Sequence, residues 1–411
     1  MQAPPLSGSR RADVVVVGAG FTGLSAALHL AERGASVVVL DAGQPGWGAS
    51  GRNGGQVNPG LKHEPATILR DFGPELGGRM VALSGGAPQT VFDLVERHQM
   101  AVEAHRGGTV RAAFGPAGHR EIQDAANGQI AAGSPVEALD AAGMERLTGT
   151  RRYLGGMIDP RGGNLNPLGY ARGLAQAAVN AGAAVHGGTP ATRMRRAAAG
   201  WAVETPGGTV TADQVVLATN GYTDGLWPRL RRTVVPVYSG IAATEPLPPD
   251  VARTILPGRA SVYEIASLTV YYRLDAWGRL LMGGRSVLRD TSDPRDFRRL
   301  VAYAQRLFPA IADARWTHFW NGQLAVTADH YPHLHVPAPG VVAALGYNGR
   351  GVAMATAMGG EVARLLSGTE ADALSMPVTD IRPIPFHALW KTAATARITY
   401  GRIRDWIGAG G

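Results

Sequence analysis

The strongest constraint on the fold of this chain is a glycine-rich segment near its start, ADVVVVGAGFTGLSAALHLAERGASVVVLDA, residues 12–42. Its apolar runs, and the glycine that ends its helical pattern, predict a strand over 13–17, a helix over 22–33 and a second strand over 36–40. Two short strands joined by a helix of this length form a βαβ unit, from which parallel sheets are built. The segment therefore predicts an α/β domain at the beginning of the chain.

Glycines at fixed spacing within this unit indicate what it binds. Gly18, Gly20 and Gly23 form the pattern GxGxxG. In that pattern the first glycine permits the turn, the second lets a pyrophosphate approach the backbone, and the third lets the helix pack on the strand. Asp41 ends the second strand, where a carboxylate can accept hydrogen bonds from a ribose. These residues predict a site for the adenosine diphosphate half of NAD or FAD.

A second glycine-rich segment distinguishes the two cofactors. The sequence GWGASGRNGGQ, residues 46–56, contains five glycines and no aliphatic side chain larger than alanine. A flavin lies extended through its protein, so a second loop must run beside its pyrophosphate, ribityl chain and ring, where side chains would collide. A loop that needed only flexibility would not require Arg52, Asn53 and Gln56 among its glycines. The stretch therefore favours FAD over NAD.

With these motifs the chain resembles the glycine/D-amino-acid oxidase family of FAD-dependent oxidoreductases, and most of all its gamma-glutamylputrescine oxidase branch. The resemblance extends over nearly the whole chain. One small departure is Asp41, where the family usually has Glu. The segments that carry the resemblance are VVVVGAGFTGLSAALHLAERG, GASGRNGGQ, DPRGGNLNPLGYARGLAQAAVNAGAAV, VVLATNGYT, VPVYSGIAATEPL, WNGQLAVTADHYP and GYNGRGVAMATAMGGEVARLL.

The resemblance implies the domain organisation. It implies an α/β fold, with a Rossmann-like FAD-binding domain of the D-amino-acid-oxidase (GR2) type and an interleaved α+β substrate domain built on an antiparallel sheet. Separate segments of the chain are expected to assemble each domain. The expected ranges are 12–70, 150–228 and 321–370 for the FAD-binding domain, 71–149 and 229–320 for the substrate domain, and 371–411 for a C-terminal extension with a basic amphipathic helix.

The resemblance also implies which residues contact FAD. A strand near Val185 to Thr192 is expected to bring the Ala191 backbone to the adenine. FAD is expected to bind without a covalent link, because the chain has no cysteine and the two N-terminal loops have no histidine. The expected cofactor-binding residues are Gly18, Gly20, Phe21, Thr22, Gly23, Asp41, Ala42, Ala49, Ser50, Gly51, Arg52, Asn53, Gly54, Gly55, Gln56, Ala191, Thr219, Asn220, Gly221, Gly346, Tyr347, Asn348, Gly349, Arg350, Gly351 and Val352.

The segment ALGYNGRGVAMATAMGGEVARLL, residues 344–366, adds an electrostatic element. Gly346, Gly349 and Gly351 predict a turn that opens a helix from about Val352 to Leu366. The N-terminal end of a helix carries a positive partial charge. If it faces flavin N1 and the C2 carbonyl, as the resemblance implies, it stabilises the negative charge of the reduced ring.

The substrate side of the site is expected on a hairpin. Residues 267–284, SLTVYYRLDAWGRLLMGG, alternate apolar and polar positions before a turn at 275–278 that leads into a second strand, which predicts a hairpin with one apolar face. The resemblance implies that such strands cover the flavin. Tyr263, Tyr272 and Trp320 are therefore the candidate catalytic-pocket residues. The alternative for each is packing in a core, which is common for aromatic residues on strands.

One departure from the family bears on the substrate. Members that oxidise glycine or D-amino acids carry the pattern W-x-G-x-R-P-x-x-x-D, whose arginine binds the substrate carboxylate through paired hydrogen bonds. In WNGQLAVTAD, residues 320–329, Leu324 and Ala325 stand at the arginine and proline positions. We therefore expect an amine with a longer or apolar body rather than a simple α-amino acid, unless a neighbouring arginine replaces the missing one. Arg273 or Arg350 could meet a distant carboxylate.

Composition excludes several kinds of site and partner. Without cysteine the chain has no disulfide, thiolate-bound metal or iron–sulfur cluster, and its eleven histidines lack metal-binding spacing, so no metal is expected. The net charge of +8 comes from scattered arginines, so no nucleic-acid partner is expected. No apolar run reaches about eighteen residues, so no transmembrane helix is expected. The start RRADVVVVGAG lacks an export cleavage site, which favours the cytoplasm.

The end of the chain could contact a membrane. The segment FHALWKTAATARITYGRIRDWIG, residues 386–408, has an apolar stripe beside four basic residues. Such a helix can lie on an anionic membrane. Packing against its own protein is the more common arrangement for an amphipathic helix, and it is the one we favour. The stripe consists of Leu389, Ala393, Ala396, Tyr400, Ile403 and Ile407.

The predicted function is oxidation of the C–N bond of a primary or secondary amine to an imine, which water hydrolyses. The expected partners are a small-molecule amine and oxygen or another electron carrier, with hydrogen peroxide as the product of oxygen. Lys62 is a remote candidate for activating oxygen. Two alternatives remain: a quinone- or carrier-linked amine or D-amino-acid dehydrogenase at the membrane surface, and a non-catalytic flavin-binding protein. An NAD dehydrogenase is less favoured, because nothing beyond the first βαβ unit suits nicotinamide.

Overall fold

A computed structural model of the chain describes residues 1–265 and 269–396. The strands are β1 Arg10–Val17, β2 Val37–Leu40, β3 Gln56–Val57, β4 Ala104–His105, β5 Thr109–Ala113, β6 Glu137–Asp140, β7 Gly155–Asp159, β8 Gly163–Leu165, β9 Ala184–His186, β10 Arg193–Arg196, β11 Trp201–Thr205, β12 Gly208–Leu217, β13 Val234–Thr244, β14 Ser261–Glu264, β15 Tyr271–Leu274, β16 Leu280–Arg285, β17 Trp316–Thr327, β18 His333–Ala338 and β19 Val341–Leu345. The helices are α1 Phe21–Ala31, α2 Ala49–Arg52, α3 Pro65–Arg97, α4 Pro116–Ala131, α5 Ala141–Thr148, α6 Pro167–Asn180, α7 Pro249–Thr254, α8 Arg298–Leu307 and α9 Gly351–Leu366.

The first sheet contains the predicted βαβ unit. Its strand order is β10-β11-β12-β1-β2-β9, with β19 paired to β12 and β18 to β19. β1 pairs in parallel with both β2 and β12, as neighbouring strands of a Rossmann-like sheet do. The two predicted strands, the helix between them and the later helix, now α9, are therefore confirmed to within a few residues.

Both faces of the first sheet are buried, which explains its almost unbroken apolar strands. Val14 and Val16 of β1 face a core that also contains residues of α1, α6 and α9. Val15 and Val17 face a second core shared with β11, β12 and β19. Successive residues of a strand point to opposite faces, so the run of four valines provides two cores at once.

In the described part of the chain, the second sheet contains eight strands. Its order is β17-β13-β16-β15-β14-β5-β7-β6. It is antiparallel except for the parallel pair β14 and β5. The predicted hairpin is confirmed as β15 and β16, which pair antiparallel across a turn held by the Asp275 carboxylate. The architecture is therefore a Rossmann-like sheet with an interleaved, mainly antiparallel sheet.

Three expected domain boundaries need correction. β7 was expected in the FAD-binding domain, but it pairs with β5 and β6 in the second sheet. Residues 321–327 lie in β17, which also belongs to the second sheet. Conversely, α3 packs its buried face, including Met80 and Val91, into the core of the first sheet rather than into the substrate domain. Strand pairing decided the positions of β7 and β17, helix packing decided that of α3, and no local pattern in the sequence reports either.

The predicted C-terminal helix lies partly outside the described residues. The chain is helical over 390–396, and the stripe residues Tyr400, Ile403 and Ile407 fall beyond residue 396. Within the described part, Leu389 is 62% exposed, and Ala393 and Ala396 are exposed. These three residues do not show the expected packing against the protein. Among the described helices, none combines the length and the apolar character needed to cross a bilayer.

Behind the second sheet a carboxyl group is buried among tyrosines. Glu264 at the end of β14 is 2% exposed, and it accepts hydrogen bonds from the Tyr153 hydroxyl at 2.8 Å and the Tyr303 hydroxyl at 2.9 Å. The Tyr153 and Tyr272 hydroxyls lie 3.1 Å apart. Burial raises the pKa of Glu264 to about 8, although the tyrosine hydrogen bonds and the charge of Arg152 oppose the shift. Glu264 is therefore protonated in the folded protein at neutral pH.

Replacing Glu264 with Gln should make the fold less sensitive to alkaline pH. Because the folded state raises this pKa above its ordinary value, the carboxyl stabilises the fold fully below about pH 4.5, and that stability is lost as pH rises through about 8. Urea unfolding should give similar free energies for wild type and Glu264→Gln at pH 5. At pH 9 the variant should be more stable by roughly 2–4 kcal/mol.

The matched control is Glu137→Gln, which removes an exposed carboxylate from edge strand β6. Its difference from wild type should stay nearly constant between pH 5 and pH 9. If Glu264→Gln also differed from wild type by a constant amount over this range, Glu264 would not be the buried titrating group.

Candidate cofactor and substrate site

The turn between β1 and α1 tolerates only glycine at two of its predicted positions. Gly18 has φ +109°, and a Cβ there would lie 2.8 Å from the carbonyl oxygen of Ala218. A Cβ on Gly23 would overlap the carbonyl oxygen of Gly18. The backbone of α1 therefore starts directly over the end of β1, and a helix N-terminus reached through such a close turn is a common site for phosphate.

Asp41 lies where a ribose-binding acid is expected. Its Oδ2 accepts a hydrogen bond from the Ala19 N–H at 2.6 Å, and its Oδ1 accepts one from the Gly43 N–H at 2.7 Å. Burial raises the pKa of Asp41, and the two N–H bonds oppose that shift. Both oxygens keep a lone pair for a further donor such as a hydroxyl.

The segment after β9 runs beside Asp41. The Thr189 N–H donates to the Asp41 carbonyl at 2.7 Å, two residues before Ala191. The strand itself ends at His186, earlier than the predicted end at Thr192. Ala191 therefore approaches this side of the site in an irregular segment rather than in a strand.

The glycines of the loop 46–56 are required by the protein itself. A Cβ on Gly51 would overlap the Gly46 carbonyl, and one on Gly55, where φ is +74°, would overlap the Leu165 carbonyl. A Cβ on Gly54 would lie 2.7 Å from the ring of Tyr271. The sequence alone suggests space for the cofactor as the reason for these glycines. At these three positions the neighbouring backbone and ring already exclude a side chain.

Polar side chains fasten the same loop. The Asn53 amide nitrogen donates to the Ala49 and Ser50 carbonyls, and its Oδ1 accepts from the Gly55 N–H at 2.7 Å. Gln56 donates from Nε2 to the Val262 carbonyl on β14 at 2.9 Å. These contacts explain why amide side chains stand among the glycines. They fix the path of the loop between the two sheets.

Arg52 lies on the outer side of this loop. Its guanidinium lies over the Trp47 ring, 4.4 Å from the ring centroid. Its carbonyl accepts a hydrogen bond from the Trp320 indole N–H at 2.9 Å. Gly51, Arg52 and Trp320 line an open groove of about 740 Å³ together with residues 289–293. Trp320, a candidate pocket residue from the sequence, therefore lies beside this loop, and its indole N–H is already bonded to the Arg52 carbonyl.

Side-chain contacts join the remaining cofactor segments to this turn. The hydroxyls of Thr22 and Tyr347 lie 2.6 Å apart, and the Gly346 N–H donates to Asn220 Oδ1 at 2.9 Å. Ser50 Oγ accepts from the Phe21 N–H at 3.0 Å. The starts of α1 and α9, the β12 exit and the loop 46–56 thus meet in one region.

This region fits the chemistry of FAD. Neither N-cap residue, Gly20 of α1 nor Arg350 of α9, caps its helix with a side-chain hydrogen bond. Ser50 Oγ accepts from one N–H at the start of α1, that of Phe21, and the positive ends of both helices still favour anionic groups, such as the pyrophosphate and the reduced flavin ring. Asp41 suits the ribose of the same molecule.

Strand alternation corrects one pocket candidate. Tyr272 is fully buried behind the second sheet, where its ring packs on Phe308. Its neighbour Tyr271 faces the other way, with its ring against Gly54 and its hydroxyl 2.8 Å from Ser239 Oγ. Tyr272 is therefore a core residue, and Tyr271 is the tyrosine beside the cofactor loop. The sequence contained the signal, since Tyr271 lies on the more polar face of the predicted hairpin.

A positively charged cavity lies beside Tyr263. Arg350 donates from Nη1 to the Pro59 carbonyl at 2.7 Å and from Nη2 to the Tyr263 hydroxyl at 3.0 Å. Both partners are neutral, so the charge of Arg350 is not paired within the described residues. Partial desolvation and the positive charges of Arg350, Arg111 and Arg285 lower the pKa of Lys62.

Other charges in this cavity are paired. Arg111 lies 2.6 Å from the Glu64 carboxylate and 3.4 Å from that of Glu121. Arg161 lies 2.6 Å from Asp159. The cavity itself has a volume of about 60 Å³. The sequence did not predict that these charges meet, because they come from β5, the segment after β3 and the start of α9.

The position that carries arginine in the family pattern faces the cofactor side. Trp320 and Gly322 alternate on β17 toward the loop, since the indole of Trp320 bonds Arg52 and a Cβ on Gly322 would lie 3.0 Å from the Arg52 Cβ. Leu324 follows on the same face of the strand, two residues further on. Ala325 is buried in the opposite core. The cofactor face of β17 therefore carries an apolar residue at this position.

Comparison with known proteins identifies relatives over most of the chain. Residues 13–365 match the family DAO, described as FAD dependent oxidoreductase. A probable oxidoreductase OrdL of Rhizobium meliloti is 34% identical over 90% of this chain and 87% of its own length. A gamma-glutamylputrescine oxidoreductase of Escherichia coli is 32% identical over 88% of this chain and 85% of its own length. The solved glycine oxidase of Geobacillus kaustophilus, at 23% identity, superposes with a TM-score of 0.76 over 89% of this chain and 96% of that one.

Replacing Gly55 with Ala should abolish FAD binding. The added Cβ overlaps the Leu165 carbonyl at a positive φ, so the loop must leave its path between the sheets. The measurement is the ratio of absorbance at about 450 nm to that at about 280 nm in the purified protein, with the flavin released by denaturation.

The matched control is Gly133→Ala. Gly133 has φ +79°, and no atom lies within 4 Å of the place where its Cβ would stand, so this substitution carries the strain of a positive φ without a collision. It should cost about 1 kcal/mol of stability and retain full flavin content. A Gly55→Ala protein with wild-type flavin content would show that this loop does not hold the cofactor.

Proposed function

Because this chain belongs to the DAO family of FAD-dependent oxidoreductases, we propose that it oxidises the C–N bond of an amine that carries an acidic group far from the reacting nitrogen. Two features support this proposal. Leu324 lies on the cofactor face of β17, at the position where the pattern W-x-G-x-R-P-x-x-x-D has arginine. Arg350 presents an unpaired charge in the cavity beside Tyr263.

FAD supplies the redox chemistry when bound: it accepts two electrons from the C–H and C–N unit of the amine and passes them to an acceptor. The substrate loses two electrons and two protons and becomes an imine, which water hydrolyses to a carbonyl compound and an amine or ammonia. Oxygen is the acceptor we propose, with hydrogen peroxide as its product.

The chain contributes charge and shape to this reaction. An amine must be neutral to give up a hydride, because its nitrogen lone pair has to form the new C=N bond. Removal of the amine from water on binding disfavours its charged form and so lowers its proton affinity. The neutral form is then favoured without a dedicated general base.

Leu324 disfavours simple α-amino acids. Their carboxylate lies one carbon from the reacting centre, so it would be buried near β17 without the arginine that pairs with it in relatives. An unpaired buried charge costs several kcal/mol. An apolar carbon chain in the same place gains by burial instead.

Arg350 favours an acidic group at the far end of the substrate. The cavity beside it, at about 60 Å³, is too small for a whole polyamine and has the size of a terminal group. The Escherichia coli relative is named for gamma-glutamylputrescine. That compound joins a long aliphatic amine to a glutamyl group with a remote carboxylate, and we propose a substrate of this class here.

The cytoplasm is the compartment we propose. The arginine pair and apolar run near the start, Arg10–Val17, form β1 between β2 and β12. A segment at the centre of the sheet contributes to the fold rather than to a cleaved signal.

Arg350→Met should reduce the preference for acidic amines. Loss of a charge-assisted hydrogen bond should raise KM for N-gamma-glutamylputrescine roughly 10- to 100-fold. KM for putrescine, which lacks the carboxylate, should change little. The measurement is steady-state oxygen consumption with peroxide detection for both amines, which makes each variant its own control.

Wild-type enzyme should show negligible turnover of glycine, sarcosine and D-alanine in the same assay. Efficient oxidation of D-alanine would contradict the role given to Leu324. Equal losses for both amines in Arg350→Met would contradict the role given to Arg350. If the enzyme reduced a dye but consumed no oxygen, the electron acceptor would be another carrier rather than oxygen.

A further inference from the structure

A buried arginine of the second sheet contacts the cofactor loop directly. Arg273 on β15 is 3% exposed. Its Nε donates to the Gly54 carbonyl at 2.6 Å, and its Nη1 donates to the Leu274 carbonyl at 3.3 Å. From the sequence, Arg273 is a candidate partner for a substrate carboxylate. Its burial and its contacts with backbone carbonyls point to a different role.

Arg273 and Asn53 hold the same peptide group from its two ends. The Gly54 carbonyl and the Gly55 N–H belong to one planar peptide unit. Arg273 binds the oxygen of this unit, and Asn53 Oδ1 accepts from its N–H at 2.7 Å. The Gly55 carbonyl in turn accepts from the Leu165 N–H at 2.8 Å. Two contacts therefore fix the orientation of the 54–55 peptide, and the third fixes the next peptide, 55–56.

The charge of Arg273 is not neutralised by a direct partner. Within residues 1–265 and 269–396, no carboxylate forms an ion pair with it. Burial lowers the pKa of Arg273, and the charges of Glu103 and Asp275 oppose that shift from a longer range. The Glu103 carboxylate instead bonds Arg259 at 3.2 Å, and Asp275 holds the hairpin turn. A positive charge therefore lies directly behind the loop that carries Gly54 and Gly55.

We propose that Arg273 is a positioning residue for the cofactor, which orients the 54–55 peptide and lends positive charge to the reduced flavin. The inference rests on the proposed function only in that FAD must lie along this loop. Loss of the guanidinium leaves the Gly54 carbonyl buried without its donor, which weakens the loop. Loss of its charge removes a group that favours the electron-rich, reduced state of FAD over the oxidised state.

The test compares Arg273→Met and Arg273→Lys with wild type. For Arg273→Met, the Kd for FAD, titrated into apoprotein, should rise at least tenfold, and the midpoint potential of the bound flavin should become more negative. Arg273→Lys keeps the charge and one donor, so its potential should stay close to wild type and its Kd should be intermediate. Urea unfolding of each apoprotein separates these effects from a general loss of stability.

Glu103→Gln provides the reciprocal variant. It removes a negative charge near Arg273 without touching Gly54, so the flavin potential should become more positive. This result is available even if Arg273→Met does not fold. An unchanged potential in Glu103→Gln together with an unchanged Kd in Arg273→Lys would overturn the proposal, as would a folded Arg273→Met protein with wild-type Kd and potential. A wild-type protein that binds no FAD would instead overturn the proposed function.

Discussion

The close approach of α1 to the end of β1 is the constraint on which the rest of the site depends. Gly23 packs on the Gly18 carbonyl, and Gly18 lies against the Ala218 carbonyl at the end of β12. Any side chain at either position would push the helix away from the sheet. Because the backbone approaches this closely, the helix N-terminus, Asp41 and the β12 exit converge on one place, where they fit the adenosine diphosphate half of FAD.

Successive residues of a strand point to opposite faces, so the second sheet has one face toward the cofactor loop and the charged cavity and one face toward a buried core. Tyr263 and Tyr271 face the cofactor loop or the charged cavity, whereas their neighbours Glu264 and Tyr272 form a hydrogen-bonded cluster behind the sheet. Arg273 lies on the same face as Tyr271, and although it is buried in the sheet it reaches the Gly54 carbonyl. A single short hairpin thus supplies both the core and the support of the loop.

Local patterns in the sequence were sufficient for the parts of the fold with a strong period or a required glycine. The βαβ unit, the hairpin and α9 follow from such patterns. The domain limits did not follow, because β7 joins the second sheet through partners remote in sequence. The choice of Tyr272 over Tyr271 failed for a related reason: the alternation was visible, but which face met the core depended on α8 and the segment around Tyr153. The charged cavity could not be predicted, since Lys62, Arg111 and Arg350 meet only in the folded chain.

Oxidation of an amine with a remote acidic group, the activity we propose, is tested most directly by anaerobic mixing of the purified enzyme with N-gamma-glutamylputrescine, followed by absorbance at about 450 nm. No external acceptor is present, so the signal reports the reductive half-reaction alone. We predict complete loss of the flavin band with this amine and no loss with D-alanine at the same concentration. A flavin band that persists with every acidic amine, or that D-alanine bleaches as fast, would contradict the claim.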